Sequence, residues 1–329
     1  MYANRPLSFL LLAVVLMLAV HTGGAMAQEA ESGRKAPSGP RDGNAGGPGD
    51  GSAGAPGGQA VLLSECEVDG TEHTVDVGGR KLHGFVYGEG SPTIVLVSGF
   101  GAPQAYWNRT VPALAERARV VTYDRAGYGR SEVGDLPLDG GRAAADLHRL
   151  LEGMEVAPPY LVVGHSYGAS VARLFCSAYP DDIGGLVLVD GQHEDILGGQ
   201  LRVLEGDDLA ALKQAVARMG EMADPGSEMG SQSETREQLR GSAPLPQVPY
   251  VVITAGDRSR AMPPIFSEEG KEVLMALGIE LQQWLVELIP GGEHILAEGV
   301  GHNIPVDHPE IVTAPVLEMV KAIRSAEGL

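Results

Sequence analysis

The sequence predicts an α/β fold: a mostly parallel, eight-stranded sheet flanked by helices, with a helical insertion after the sixth strand. Three observations carry this. Short apolar runs rich in β-branched residues recur along the chain, alternating with stretches of helical period. The central runs are apolar on both faces, as strands buried in a parallel sheet are. The alternation fails only from Asp190 to Pro244, where no strong strand occurs.

The first two strands, 73–77 and 82–87, flank Gly78-Gly79 and read as a hairpin. Thr93–Val97, Val120–Tyr123, Tyr160–Val163, Leu186–Val189 and Tyr250–Thr254 are continuous runs, and His294–Ala297 is a weaker one. Helical patterns cover about 105–117, 141–153, 167–179, 269–288 and 309–325. Asp307 reads as the N-cap of the last helix. Strand, helix, strand in repeated order implies right-handed crossovers in one sheet. In the interrupted stretch, Leu209, Leu212, Val216 and Met219 fall at helical spacing and form a packing face. The segment from about 192 to 245 reads as a mostly helical cap, mobile around 223–233.

The ends of the chain divide differently. Arg5 precedes an apolar run of 14 residues, Leu7–Val20, and Ala25-Met26-Ala27 is a small-x-small site. This is the pattern of a signal peptide over 1–27 cleaved after Ala27, and it implies a secreted or periplasmic protein. The run falls short of the roughly 20 residues a spanning helix needs, so no stable membrane insertion is expected after cleavage. Residues 28–60 read as a linker: Gln28–Gln59 holds ten Gly and four Pro and no apolar residue larger than Ala or Pro. Such a segment cannot offset its ordering entropy by burial. The folded domain is then 61–329.

Of the 329 residues, 24 are Lys or Arg and 43 are Asp or Glu, a formal net charge of -19. Binding phosphates depends on basic residues, so nucleic acid is not an expected partner. The two cysteines, Cys66 and Cys176, cannot form a disulfide framework or a four-cysteine zinc site. They could pair in an oxidising compartment, although a buried thiol is the favoured reading for Cys176.

Leu161–Ser170 carries the strongest chemical signal. It reads strand, Gly164-His165-Ser166-Tyr167-Gly168, helix. A serine hydroxyl is a weak nucleophile until it is exposed and paired with a base. A tight strand-to-helix turn exposes Ser166, and glycines at 164 and 168 remove side chains that would collide with strand and helix. The helix N-terminus adds positive potential where an oxyanion would develop.

With these residues in that order, the sequence resembles the α/β-hydrolase fold family over nearly all of 70–325, in the branch of esterases, proline iminopeptidase-like enzymes and cofactor-free haloperoxidases. The resemblance implies an oxyanion hole from the backbone N–H groups of Phe100, in Ser98-Gly99-Phe100-Gly101, and of Tyr167. Ser98 departs from the family's usual His. Trp107 and Tyr123–Ser131 also look like family positions, the latter structural, with Asp124 and Arg125 hydrogen-bonded near the sheet edge. The family order is Ser, then acid, then His. His302 is the candidate base, in the loop between the last strand and the last helix. Two acids are open: Asp190 at the end of the sixth strand, slightly favoured, and Asp257 after the seventh, where Gly256-Asp257 departs from the usual Gly-x-x-Asp.

The expected function is a secreted serine hydrolase acting on a small neutral or hydrophobic ester, lactone or amide, without metal or organic cofactor. A haloperoxidase-like enzyme or a ligand-binding protein with little turnover are the alternatives. Haloalkane dehalogenases and epoxide hydrolases of this fold use an Asp nucleophile, which Ser166 disfavours.

Overall fold

The computed structural model describes residues 66–259 and 262–328. The expected signal (1–27), its cleavage site and the linker (28–60) lie outside the described residues. The strands are β1 (Thr71–Asp76), β2 (Lys81–Tyr87), β3 (Thr93–Val97), β4 (Arg119–Tyr123), β5 (Tyr160–His165), β6 (Ile183–Val189), β7 (Tyr250–Ala255) and β8 (Glu293–Ala297). They form one sheet in the order β1-β2-β4-β3-β5-β6-β7-β8. The β1–β2 hairpin pairs antiparallel and also joins β4 antiparallel; every other pairing is parallel.

β3 lies between β4 and β5: the chain runs from β3 to β4 on one side and then crosses back over β3 to β5 on the other, so the strand order reverses there. A crevice opens at the carboxyl ends of strands at such a reversal. The loops after β3 and β5 carry Phe100 and Ser166.

Each central strand alternates its side chains between two cores. Val95 and Val97 enter one with Leu147, Leu150, Leu151 and Phe175; Ile94 and Leu96 enter the other with Trp107, Val312 and Val316. This is why the strands are apolar throughout. The flanking helices are α1 (Val111–Ala115), α2 (Gly140–Gly153), α3 (Tyr167–Ala178), α7 (Glu268–Val286), the short α8 (Ile304–Asp307) and α9 (Pro309–Glu327). The expected helix at 105–117 divides into a single 3-10 turn at Gln104–Trp107 and α1. Asp307 is not the cap of the last helix. It ends α8, and His308 occupies the position before α9.

The cap carries α4 (Ile196–Val203), α5 (Gly206–Met222) and α6 (Gln232–Gly241). Leu212, Ala215 and Met219 of α5 pack with Ile196 and Leu204 against Leu274, Leu277 and Leu281 of α7. The expected packing face is therefore real, and it clamps the cap to the sheet's own helix. The stretch expected to be mobile is tied down at its centre, where Glu228 is 5% exposed and bonded to Arg125. Cys66 and Cys176 are free thiols. They cannot meet, because Cys176 lies in one core and Cys66 packs against the other. Among the described residues no helix is long and apolar enough to cross a membrane.

Candidate active site

The turn between β5 and α3 is built around close backbone contacts. A Cβ on Gly168 would stand 2.2 Å from the Val97 carbonyl oxygen, and one on Gly164 would stand 2.5 Å from the Gly168 oxygen. Both positions exclude any side chain. Ser166 adopts φ 55°, ψ −120°, a conformation that L-residues rarely hold, and its N–H donates to Val189 O at 3.0 Å. Strain of this kind persists where the surroundings over-determine it, and it clusters at functional sites.

Ser166, Asp190, Gly191, Gln192, His193, Ile196, Arg258, Gly278, Leu281, Gln282 and His302 line one cavity. Cap residues and strand-end residues thus meet around the serine. Ser166 and His302 are both buried.

Asp190 follows β6 directly, again at positive φ (45°). Its N–H donates to Ile253 O at 2.6 Å, locking it onto β7. His302 Nδ1–H donates to its Oδ2 at 2.5 Å. Ala255 N–H donates to Oδ1 at 3.0 Å, and Arg258 Nη2 donates to the same oxygen. Burial opposes the negative charge on Asp190, but the Arg258 guanidinium and the His302 hydrogen bond outweigh it and hold the carboxyl well below the usual carboxylate range. Asp257 turns elsewhere: its Oδ1 accepts from Ser259 N–H (3.0 Å) and Ser259 Oγ (2.6 Å).

A proton on His302 Nδ1 leaves Nε2 with a lone pair. Nε2 is buried, and among the described residues neither Ser166 nor any other group hydrogen-bonds to it. Apo catalytic contacts are often long and tighten when substrate binds. Beneath the ring, His165 Nε2 donates to His302 O at 2.9 Å, with ring centroids 4.5 Å apart. His165 therefore supports the His302 loop from below, a role its place in the elbow does not announce.

Phe100 and Tyr167 lie on the β3 and β5 sides of the crevice, their rings in edge contact at 6.4 Å. Among the described residues, no protein acceptor takes the N–H of either. Gly99 presses on the serine: a Cβ there would meet Ser166 Cβ at 3.2 Å. Two residues that sequence reasoning passes over complete the surroundings. Arg258 neutralises Asp190, and cap residue Glu228 grips Arg125. Their partners are 68 and 103 residues away, so no local pattern marks them. Among the described residues no cluster of His, Cys, Asp or Glu is arranged to hold a metal ion.

Comparison with known proteins bears on the family and the fold. The model of the alpha/beta hydrolase family matches residues 94–314. An uncharacterised protein of Bacillus subtilis, YqjL, is 26% identical over 238 residues, covering 70% of this chain and 85% of its own. An AB hydrolase superfamily protein of Gibberella zeae is 25% identical over 283 residues, covering 71% and 87%. Among solved structures, an esterase from Thermogutta terrifontis superposes with a TM-score of 0.54 at 21% identity, covering 77% of this chain and 99% of that one. The epoxide hydrolase CorEH superposes with a TM-score of 0.53 at 20% identity, covering 78% and 100%. At such identities the two structures speak for the fold alone. The match across most of the sheet, together with the strand order, makes this chain a member of the alpha/beta hydrolase family, a hydrolase built on that family's fold.

Proposed function

We propose that the protein is a serine hydrolase that cleaves a small, neutral or hydrophobic ester, lactone or amide through an acyl-enzyme on Ser166. The observation that carries this reading is the pairing of a strained, cavity-lining Ser166 with a His302 whose Nδ1 is committed to Asp190. Nε2 is then the only ring nitrogen able to take a proton. Closing Ser166 Oγ onto it is the one movement the chemistry needs.

In this mechanism His302 Nε2 removes the Ser166 proton as Oγ attacks the substrate carbonyl carbon. The carbonyl π pair moves onto oxygen, where the N–H groups of Phe100 and Tyr167 receive it. The tetrahedral intermediate collapses, the C–O or C–N bond breaks, and the imidazolium gives its proton to the leaving alcohol or amine. A water then repeats the sequence, releasing the acid and restoring the serine. Asp190 holds the imidazole in the required tautomer and stabilises its cation. A Ser rather than an Asp at the elbow is what separates this reading from epoxide opening.

Labelling with a fluorophosphonate probe is the direct test. Wild type should be labelled and should hydrolyse nitrophenyl esters, while Ser166→Ala should do neither. A folded wild type that stays unlabelled overturns the proposal. The N-terminal pattern supports export as part of the same reading; the mature protein should then begin at Gln28, which N-terminal sequencing of the exported form would check.

A further inference from the structure

A backbone N–H in a loop stabilises an oxyanion only if the loop is held. The Gly99–Phe100 peptide is a single plane in which the Gly99 carbonyl and the Phe100 N–H point in opposite directions. Whatever fixes the carbonyl aims the N–H. Two donors fix it: Arg125, whose Nη2 donates to Gly99 O at 2.9 Å and whose Nη1 donates to Ser98 O at 2.5 Å, and, less closely, Ala102 N–H at 3.3 Å. Arg125 lines a separate small cavity and not the one around Ser166, so the carbonyl it holds is drawn away from the serine side.

Arg125 is itself held from the cap. Its Nε donates to Glu228 Oε2 at 2.8 Å and its Nη2 to Glu228 Oε1 at 2.9 Å. Tyr128 OH donates to Glu228 Oε1 at 3.1 Å. The guanidinium carbon lies 5.3 Å from the ring centroids of both Tyr128 and Tyr167. Burial opposes the Arg125 charge, and the Glu228 carboxylate more than restores it. Without Glu228 the cation would face two carbonyls with no countercharge, and a buried unpaired charge drives its surroundings to rearrange.

We propose that Arg125 is a positioning residue that aims the Phe100 N–H at the reacting carbonyl oxygen, and that Glu228 makes this aim depend on the cap being docked. The idea rests on the serine-hydrolase reading. It gives the cap a share in the chemical step besides its contact with substrate: a cap that lifts takes Glu228 with it and releases the oxyanion loop.

The test compares wild type, Glu228→Gln and Arg125→Lys in the full chain. The readouts are a nitrophenyl ester and a trifluoromethyl ketone, to which a serine alkoxide adds reversibly to give a charged hemiketal. Loss of a whole oxyanion donor costs about 10²–10³ in kcat, and a mis-aimed donor should cost about 10–100-fold. We expect that loss in kcat, with KM within about 3-fold and ketone affinity falling in parallel with kcat, since both report the transition state. A merely structural role would not tie ketone affinity to kcat. Should both variants fail to fold, Tyr128→Phe carries the test, with an expected loss of about 2–5-fold in kcat and ketone affinity together. Folded variants with wild-type kcat and ketone affinity overturn the proposal, as does a rise in KM alone, which would make Glu228 a substrate contact. A wild type inert to ester and fluorophosphonate sinks the serine-hydrolase reading and this one with it; an active wild type with unaffected variants sinks this one alone.

Discussion

Asp190 Oδ2 stands 2.5 Å from His302 Nδ1, while the other carboxylate oxygen carries Ala255 N–H and Arg258. The division matters: one oxygen is spent on anchoring the carboxylate to β7, which leaves the other fixed in direction toward the imidazole. Asp190→Asn keeps the shape but can present an amide N–H to the ring and so favour the wrong tautomer. It should lower kcat by about 10³–10⁴-fold. Asp257→Asn, whose parent side chain closes a turn on Ser259, should stay within about 3-fold. Equal losses in the two variants would refute the assignment of the acid.

Arg258 sets the charge of that carboxylate. In the wild type its cation and the His302 bond keep Asp190 ionised far into acid. In Arg258→Met the burial of Asp190 remains and its main countercharge is gone, so the carboxyl protonates at higher pH. The acid limb of kcat/KM should move upward in pH, and stability at neutral pH should fall by about 3–5 kcal/mol, as when one partner of a buried pair is removed. An unmoved acid limb in a folded variant would show that Arg258 does not govern the charge of Asp190.

The elbow allows a sharp contrast between glycines. Gly168→Ala drives a methyl to 2.2 Å from the Val97 oxygen, so backbone must move, and soluble active protein should be lost. Gly220→Ala, in α5 with nothing within 4 Å of the added Cβ, should instead raise stability by about 0.5–1 kcal/mol in urea unfolding. A tolerated Gly168→Ala would mean that the elbow is looser than its contacts imply.

What could be read in the sequence follows from range. Val95 and Ile94 each need an apolar partner on their own face, so the strand betrays itself without knowledge of its neighbours. The elbow is as local, since Gly164, Ser166 and Gly168 meet within one turn. The acid is not local. Asp190 and Asp257 follow adjacent strands, and what separates them is where His302 and Arg258 arrive, contacts across 112 and 68 residues. Nothing local marks Glu228, because its partner Arg125 lies 103 residues earlier. The division of 105–117 into a 3-10 turn and α1 has a related cause. Thr110 is fully buried, and its hydroxyl donates to Pro305 O, a contact that no helical period contains.

The cap's first anchor gives a pH-dependent stability of known sign. Glu194, just before α4, accepts from Arg173 Nη1 at 2.6 Å and Nη2 at 3.1 Å; Arg173 lies on α3, the helix that follows the serine. Burial opposes ionisation of Glu194, but the Arg173 hydrogen bonds and charge outweigh it and lower its pKa to about 2. An unfolded glutamate titrates near pH ~4.3. The folded state therefore holds its proton less tightly, and the pair's contribution is complete above about pH 4.3 and is lost as pH falls toward 2. Glu194→Gln lacks this titration. Urea unfolding should find the variant less stable than wild type at pH 7, with the gap narrowing at pH 3 because wild type alone loses the contribution. A gap of the same size at both values would mean that the pair does not titrate with folding.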